Sequence, residues 1–329
     1  MRGLLRADWL RFRKRRALQI LVIAIPVLIA FFYLAGFRNA TSYVPDTFDE
    51  QIARQNLIDE GAVNGVPPDQ VDDMLRQMID SERADYEQQL AQVRLTQSGY
   101  AFPQSFLVVL SSATYAFLAL ILLTATTIGD EFSWGTIRTM LLASSDRRPV
   151  LLARLLSLGA VAVFVFGTTL VLAVVLPGVL AVTGSVLPPA PPVDFGWLAI
   201  LVLSDLVISL TVISFAAMAT LIVRSGGLTL VVALAYVAIE GVAGGLLLRF
   251  EPFQDKGSLQ WLLNVLPFRA TVTILDKLGV AAGRVEIYPG SNGSFDPGAV
   301  WLSLAALVVW GAVFMAIAFW RFRRMDIVE

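Results

Sequence analysis

Six long apolar runs divide this sequence and constrain its fold more than any other feature. Each run has about 18 or more residues, which is enough to cross a hydrocarbon layer about 30 Å thick as a helix rising about 1.5 Å per residue. The runs therefore predict an all-α, polytopic membrane protein with six transmembrane helices. They are Leu18–Phe37, Phe106–Ile128, Leu155–Val182, Phe195–Val223, Gly227–Leu248 and Ala299–Trp320.

Composition agrees with a membrane protein and argues against an enzyme. Hydrophobic residues make up 57% of the 329 residues and charged residues only 16%, whereas a soluble domain needs more charged surface. The chain has no cysteine and no histidine. It therefore lacks thiol chemistry, the commonest acid–base catalyst and the commonest zinc ligand. We expect no catalytic residues, no metal site and no cofactor bound by this chain.

The charges outside the runs are distributed unevenly and predict the orientation. One side of the predicted membrane carries fifteen basic and six acidic residues, and the other carries ten basic and eighteen acidic. By the positive-inside rule, both termini are cytoplasmic. Twenty-two arginines against three lysines are typical of a high-GC bacterial genome. The expected location is therefore the bacterial cytoplasmic membrane.

The segments between the runs predict five regions. Residues 1–37 form a basic interfacial helix and span 1, although the basic flank has the alternative of serving only to orient the chain. Residues 38–103 are acidic and follow helical spacing, which predicts an extracytoplasmic helical hairpin that is either a lid or docking element or a solvated stalk. Residues 104–248 contain spans 2–5, with a cytoplasmic loop at 129–154. Residues 249–298 form short extracytoplasmic helices that lie along or dip into the outer leaflet. Residues 299–329 form span 6 and the cytoplasmic tail.

The loop "GDEFSWGTIRTMLLASSDRRPVLLAR" at 129–154 is longer than a turn between two spans requires. Its apolar residues form one approximate helical stripe, and two acids stand where a helix dipole favours negative charge. The loop therefore predicts a short amphipathic cytoplasmic helix held between two spans. It either contacts a cytoplasmic partner or rests on the membrane alone.

This loop resembles the corresponding segment of ABC transporter permeases of the second export type. The shared pattern is an acid near the end of span two, Gly-Thr, a basic residue, a leucine pair, a polar turn with arginine and the start of span three; "NVLPFRATVTIL" is similar, more weakly, to the family's region before the last span. The resemblance implies a coupling helix that contacts a separate ATP-binding subunit. The implied contact residues are Glu131, Trp134, Gly135, Thr136, Arg138 and Leu141.

The resemblance also implies the partners. The chain contains no Gly-x4-Gly-Lys-[Ser/Thr] motif, so ATP and Mg would be bound by the partner subunit. A second permease chain would complete the transporter as a homodimer or heterodimer, surrounded by membrane lipids, with no role for nucleic acid. Independently of the resemblance, Gly226, Gly227, Gly241, Gly244 and Gly245 allow close helix approach in span five, which is compatible with a dimer seam.

Two carboxylates lie within the predicted spans. Asp205 in span four and Glu240 in span five fall at similar depths in the outer half of the membrane. A carboxylate inside the membrane costs free energy, so it normally faces a cavity or a partner. Three interpretations stay open for them: a translocation path, hydrogen bonding between helices with Ser204, Ser209 or Thr211 and one acid protonated, or a proton or sodium relay.

The favoured function is thus the permease subunit of an ATP-driven exporter. One alternative is an ion- or proton-coupled secondary transporter, which inverted repeats with broken helices would favour. A less favoured alternative is a membrane-embedded enzyme that uses Asp205 and Glu240.

Overall fold

The computed structural model describes residues 16–41, 47–61, 67, 70–112, 114–133, 148–183, 187–190, 192–247, 249–250, 260–282 and 296–324. Within these ranges the chain forms helices and no strand, so the all-α prediction is confirmed. Nearly all of the predicted interfacial helix lies outside the described residues, which begin at Arg16. The helices are α1 Arg16–Thr41, α2 Glu50–Asp59, α3 Val71–Ser98, α4 Ser105–Ser112, α5 Thr114–Ser133, α6 Arg148–Val182, α7 Phe195–Val223, α8 Gly226–Leu247, α9 Gln260–Val265, α10 Pro267–Ala281 and α11 Pro297–Arg323.

Four described helices are long and apolar enough to cross a membrane, namely α6, α7, α8 and α11. They coincide with the last four predicted spans, and they indicate a membrane protein. The first two predicted spans correspond to shorter apolar helical stretches, Ile23–Asn39 in α1 and Phe117–Asp130 in α5. Six spans therefore stay a prediction.

Helix α7 is the centre of the bundle. More than half of its apolar stretch is buried, 56% against 17% for α8. Helix α7 contacts five other helices, α5, α6, α8, α10 and α11. The hydroxyl groups of Ser204, Ser214 and Thr220 donate to backbone carbonyls four residues earlier in the same helix. These local bonds let a helix that is buried on most sides carry polar side chains, because each hydroxyl satisfies itself without a partner helix.

The end of α5 crosses the turn between α7 and α8 at backbone contact. A Cβ atom on Gly129 would lie 2.4 Å from the backbone nitrogen of Gly226, and one on Gly226 would lie 2.9 Å from the carbonyl oxygen of Ala125. The turn itself depends on Arg224, which adopts the left-handed conformation at φ 59° and ends α7. Only glycine at both crossing positions permits this approach.

The acidic segment after α1 contains a pair of helices, α2 and α3. Asp49 caps α2 by accepting from two backbone N–H groups, and Gly61 follows its end with φ 78°. A small apolar cluster of Leu57, Leu75 and Ile79 holds the pair together. The helices predicted for this segment are therefore present, whereas most of the predicted turn between Gly61 and Pro68 lies outside the described residues.

Helix α1 is attached to the start of the second predicted span through Tyr100. The hydroxyl of Tyr33 donates to the backbone carbonyl of Tyr100, and the two rings meet edge to face. The Tyr100 hydroxyl lies where a Cβ atom on Gly36 would be only 2.6 Å away. Burial raises the pKa of the Tyr100 phenol above its ordinary value.

Candidate functional site

The predicted coupling residues lie at the edge of the described chain. Glu131 stands in the last turn of α5, although its side chain lies outside the described residues. Trp134, Gly135, Thr136, Arg138 and Leu141 also lie outside them, in the segment 134–147 between α5 and α6. Because α5 continues to Ser133 and α6 begins at Arg148, this connection is shorter than the predicted loop at 129–154. The coupling role of these six residues stays a prediction.

The residues that flank this connection on both sides are packed in the helical bundle. Gly129, two residues before Glu131, belongs to the backbone crossing with Gly226 described above. On the other flank, Arg154 of α6 is 4% exposed and engages other residues. The two ends of the connection are therefore held in the bundle by close packing.

The short helices before the last span form a hairpin that dips between α8 and α11. The indole N–H of Trp310 donates to the carbonyl of Val265 at 2.9 Å, and the hydroxyl of Ser303 donates to the carbonyl of Asn264 at 3.2 Å. Ser303 and Trp310 lie six and thirteen residues after Pro297, which places the hairpin tip about 9–20 Å below the start of α11. The tip therefore enters the bundle rather than lying along its surface.

Helix α10 returns from this tip to the predicted external end of the bundle. The backbone N–H of Asp194, just before α7, donates to the carbonyl of Ala282, just after α10. One face of α10 is buried, including Ala270, Ile274 and Leu278. The burial of this face against α7 and α11 explains why the hairpin enters the bundle. The predicted position of these helices relative to the outer leaflet stays a prediction.

Glu240 of α8 caps the first turn of α10. The backbone N–H of Arg269 donates to Oε1 of Glu240 at 2.8 Å, and Glu240 is 6% exposed. Helix α10 has no cap of its own, since Leu266 at the N-cap offers no side-chain acceptor. Glu240 thus satisfies an otherwise orphaned N–H group and places negative charge at the positive end of the helix dipole.

Two glycines of α8 make room for this contact. A Cβ atom on Gly244 would lie 3.1 Å from Cδ of Arg269, and one on Gly241 would lie 3.9 Å from Cε1 of Phe268. The first turn of α10 therefore rests on the face of α8 that carries Gly241, Gly244 and Glu240. The predicted close helix approach occurs within this chain at Gly244, while Gly241 makes an ordinary contact and a Cβ atom on Gly245 would meet nothing within 4 Å.

Asp205 of α7 has burial without a partner. It is 1% exposed, and neither carboxylate oxygen has a hydrogen-bond partner among the described residues. Two of its predicted partners are engaged elsewhere: Ser204 donates to the carbonyl of Ile200, and Thr211 donates to those of Val207 and Leu307. Burying the ionised Asp205 side chain without a partner costs roughly several kcal/mol of free energy. Protonating an ordinary aspartate at pH 7 costs about 4 kcal/mol.

The structure does not join the two carboxylates. Glu240 contacts α10, while its neighbour Tyr236, one turn earlier on α8, interacts with the same carboxylate. Asp205 lies eighteen residues from the C-terminal end of α7, and Glu240 fourteen residues from the N-terminal end of α8. Their distances from the α7–α8 turn, measured along the helices, therefore differ by about 6 Å at about 1.5 Å per residue.

Sequence reasoning missed the residues that hold the hairpin tip, namely Asn264, Arg269, Ser303 and Trp310. One signal could have found the site. Pro267 at the first position of α10 marks a helix start, and Leu266 before it cannot cap that start. A helix without its own cap must find an acceptor elsewhere, and Glu240 was the buried candidate.

No group of three or more metal-binding side chains occurs among the described residues. The expectation that this chain binds no cofactor stays a prediction. In the described site, Glu240 binds the N-terminus of α10. Asp205 provides a buried carboxyl group with no hydrogen-bond partner among the described residues.

The fold and the buried carboxylates define a helical membrane protein. A family model described as "Protein of unknown function (DUF2705)" matches residues 78–328. Because the match covers more than half of the chain, the protein belongs to the DUF2705 family. No curated protein matches this sequence. The family match begins within α3 and includes α4–α11, the connection between α5 and α6, and both intramembrane carboxylates.

Proposed function

We propose that this chain is the permease subunit of an ATP-driven ABC exporter in the bacterial cytoplasmic membrane. It has six spans and cytoplasmic termini, and it works with a second permease chain and with separate ATP-binding subunits that hold ATP and Mg. ATP-driven closure of those subunits pushes on the connection between α5 and α6 and switches the spans between two arrangements.

The observation that carries this proposal is the segment at 129–154, whose residues resemble a coupling helix. The packing of its flanks supports the role, because Gly129 touches the backbone of Gly226. A partner that moves the connection would therefore move α5 and the α7–α8 turn with it. The exposed apolar residues of α8, including Val231, Ile239 and Val242, fit contact with lipid or with the second permease chain.

Co-purification tests the proposal directly. The tagged chain is extracted gently from its native host beside a Glu131→Ala, Arg138→Ala variant, and the co-purifying proteins are identified. A matched control variant, Arg83→Ala with Glu87→Ala, removes the same two charge types from an exposed ion pair on α3. We expect an ATP-binding protein with the wild type and the control, and much less with the loop variant. A chain that arrives without an ATP-binding protein contradicts the proposal.

A second candidate is an ion- or proton-coupled secondary transporter. The specific observation that favours it is Asp205, a buried carboxylate with no partner among the described residues. Transport by the purified chain in vesicles, driven by a proton gradient with no ATP-binding protein present, would support this candidate. Transport that requires both ATP and a partner would exclude it.

A further inference from the structure

We infer that Asp205 is a proton-binding site inside the helical bundle and that it carries its proton in the arrangement described here. The inference goes beyond the proposed function and does not rest on it, because a carboxyl group can hold a proton in an exporter or in a secondary transporter.

The first step is the isolation of the side chain. Asp205 is among the least exposed polar residues of the described chain, at 1%, and both of its oxygens lack a hydrogen-bond partner there. A carboxylate that caps a helix accepts from a donor there, as Oε1 of Glu240 accepts the N–H of Arg269, although Oε2 of Glu240 also has no partner among the described residues. Asp205 has no such donor, so nothing in its described surroundings stabilises the charged form.

The second step is the placement of other charges. The helices that pack against α7 are α5, α6, α8, α10 and α11. The charged residues of α6 and α11 lie only near the predicted cytoplasmic ends of those helices, as do the two acids of α5. The remaining titratable groups on these helices are Tyr115 on α5, whose side chain lies outside the described residues, Tyr236 and Glu240 on α8, and Arg269, Asp276 and Lys277 on α10.

None of these groups is hydrogen-bonded to Asp205 where both side chains are described. Glu240 is directed to the backbone of Arg269, and the stem of Arg269 lies over Gly244 on α8. Asp276 is exposed on α10. The carboxyl group therefore reaches its lowest free energy by taking a proton from water onto one oxygen, which forms one O–H bond and removes the charge.

The consequence is a site that exchanges its proton only when the bundle opens. Once water reaches α7, the group loses its proton to the water, and when the bundle closes it must bind a proton again. Asp205 thus gives the closed arrangement a requirement for one proton per chain.

Infrared spectroscopy of the full chain in lipid tests this inference. A protonated carboxylic acid gives a C=O band separate from that of a carboxylate, and incorporating isotope-labelled aspartate shifts that band and identifies its residue type. Wild type, Asp205→Asn and Glu240→Gln are compared at pH 7. An ordinary aspartate is protonated in only about one molecule in a thousand at this pH, so a full-strength band requires a protected site.

The expected result is an acid band at pH 7 that shifts with labelled aspartate, is absent in Asp205→Asn and is present in Glu240→Gln. Circular dichroism confirms that each variant keeps its helices. If the Asn variant does not fold, labelling of the wild type with an apolar carbodiimide, which reacts with protonated carboxyl groups, replaces it; the reacted peptide must then contain Asp205. A band that stays in folded Asp205→Asn, or a carbodiimide adduct found only at Glu240, overturns the inference.

Discussion

Asp205 and Glu240 have the same chemical group, nearly complete burial and neighbouring helices, yet their surroundings differ. Glu240 accepts the N–H of Arg269 and replaces the missing cap of α10, while Asp205 accepts nothing among the described residues. The difference lies in what the adjoining helix offers, because a helix N-terminus presents free donors and a helix middle presents none. Burial alone therefore does not tell the role of an intramembrane carboxylate.

The largest expected effect is the loss of the cap at Glu240. Glu240→Ala leaves the partly buried N–H of Arg269 without its acceptor, and we expect a loss of about 2–3 kcal/mol in the free energy of unfolding. Glu240→Gln keeps an acceptor oxygen, so it should lose less than half of that amount. Thermal unfolding in detergent, followed by tryptophan fluorescence, measures both. Equal stability of the Ala variant and the wild type would show that the Glu240 cap does not stabilise the hairpin.

Asp205 should respond with the opposite sign. Asp205→Leu keeps the number of side-chain heavy atoms and removes a polar group that has no described partner, so we expect a stabilisation of about 1–2 kcal/mol. Asp205→Asn keeps the polar group and should stay close to the wild type. The same unfolding assay applies. Strong destabilisation by Leu would mean that Asp205, like Glu240, has a structural partner.

The glycines of α8 sharpen the comparison further. Gly244→Leu places a side chain where the stem of Arg269 lies, whereas the Cβ atom of Gly245→Leu would meet nothing within 4 Å. We expect a cost of about 1–2 kcal/mol for Gly244→Leu and none for its neighbour. Both variants have the same composition, so any difference in unfolding temperature reports the contact with α10. Identical behaviour of the two would contradict the packing described here.

The smallest expected effect is at Trp310. Trp310→Phe keeps an aromatic ring against Phe314 and removes the N–H that donates to Val265. A single neutral hydrogen bond contributes about 1 kcal/mol, so the loss should be about that size. A Trp310→Phe change as costly as Glu240→Ala would show that the indole ring, rather than the cap, dominates the attachment of the hairpin.

The sequence predicted the helices well because their cause is local. Apolar length identified α6, α7, α8 and α11, and turn residues such as Gly61 identified breaks between helices. Asp205 and Glu240 stood out because charges are rare in apolar runs. These features depend on a residue and its near neighbours along the chain.

The partners of those residues could not be predicted in the same way. Glu240 and Arg269 are 29 residues apart, and Ser303 and Asn264 are 39 apart, so their contacts depend on how deeply the hairpin enters the bundle. That depth follows from packing among α7, α8 and α11 rather than from any local pattern. The hydrogen-bond partners predicted for the carboxylates, Ser204, Ser209 and Thr211, did not include a backbone N–H, which carries no sequence signature.

The crossing of Gly129 and Gly226 fixes the first turn of α8, so a tilt of α8 about this end moves its far residues the most. Gly226 is its pivot, and Glu240 lies fourteen residues along it, about 21 Å from that pivot. A tilt of about 3° displaces Glu240 by about 1 Å, enough to stretch its bond to Arg269 beyond the usual ~3.2 Å limit for such bonds. An angular change too small to disturb the contact of the two glycines is therefore sufficient to break the hydrogen bond that caps α10, while the bonds of the hairpin tip to α11 remain.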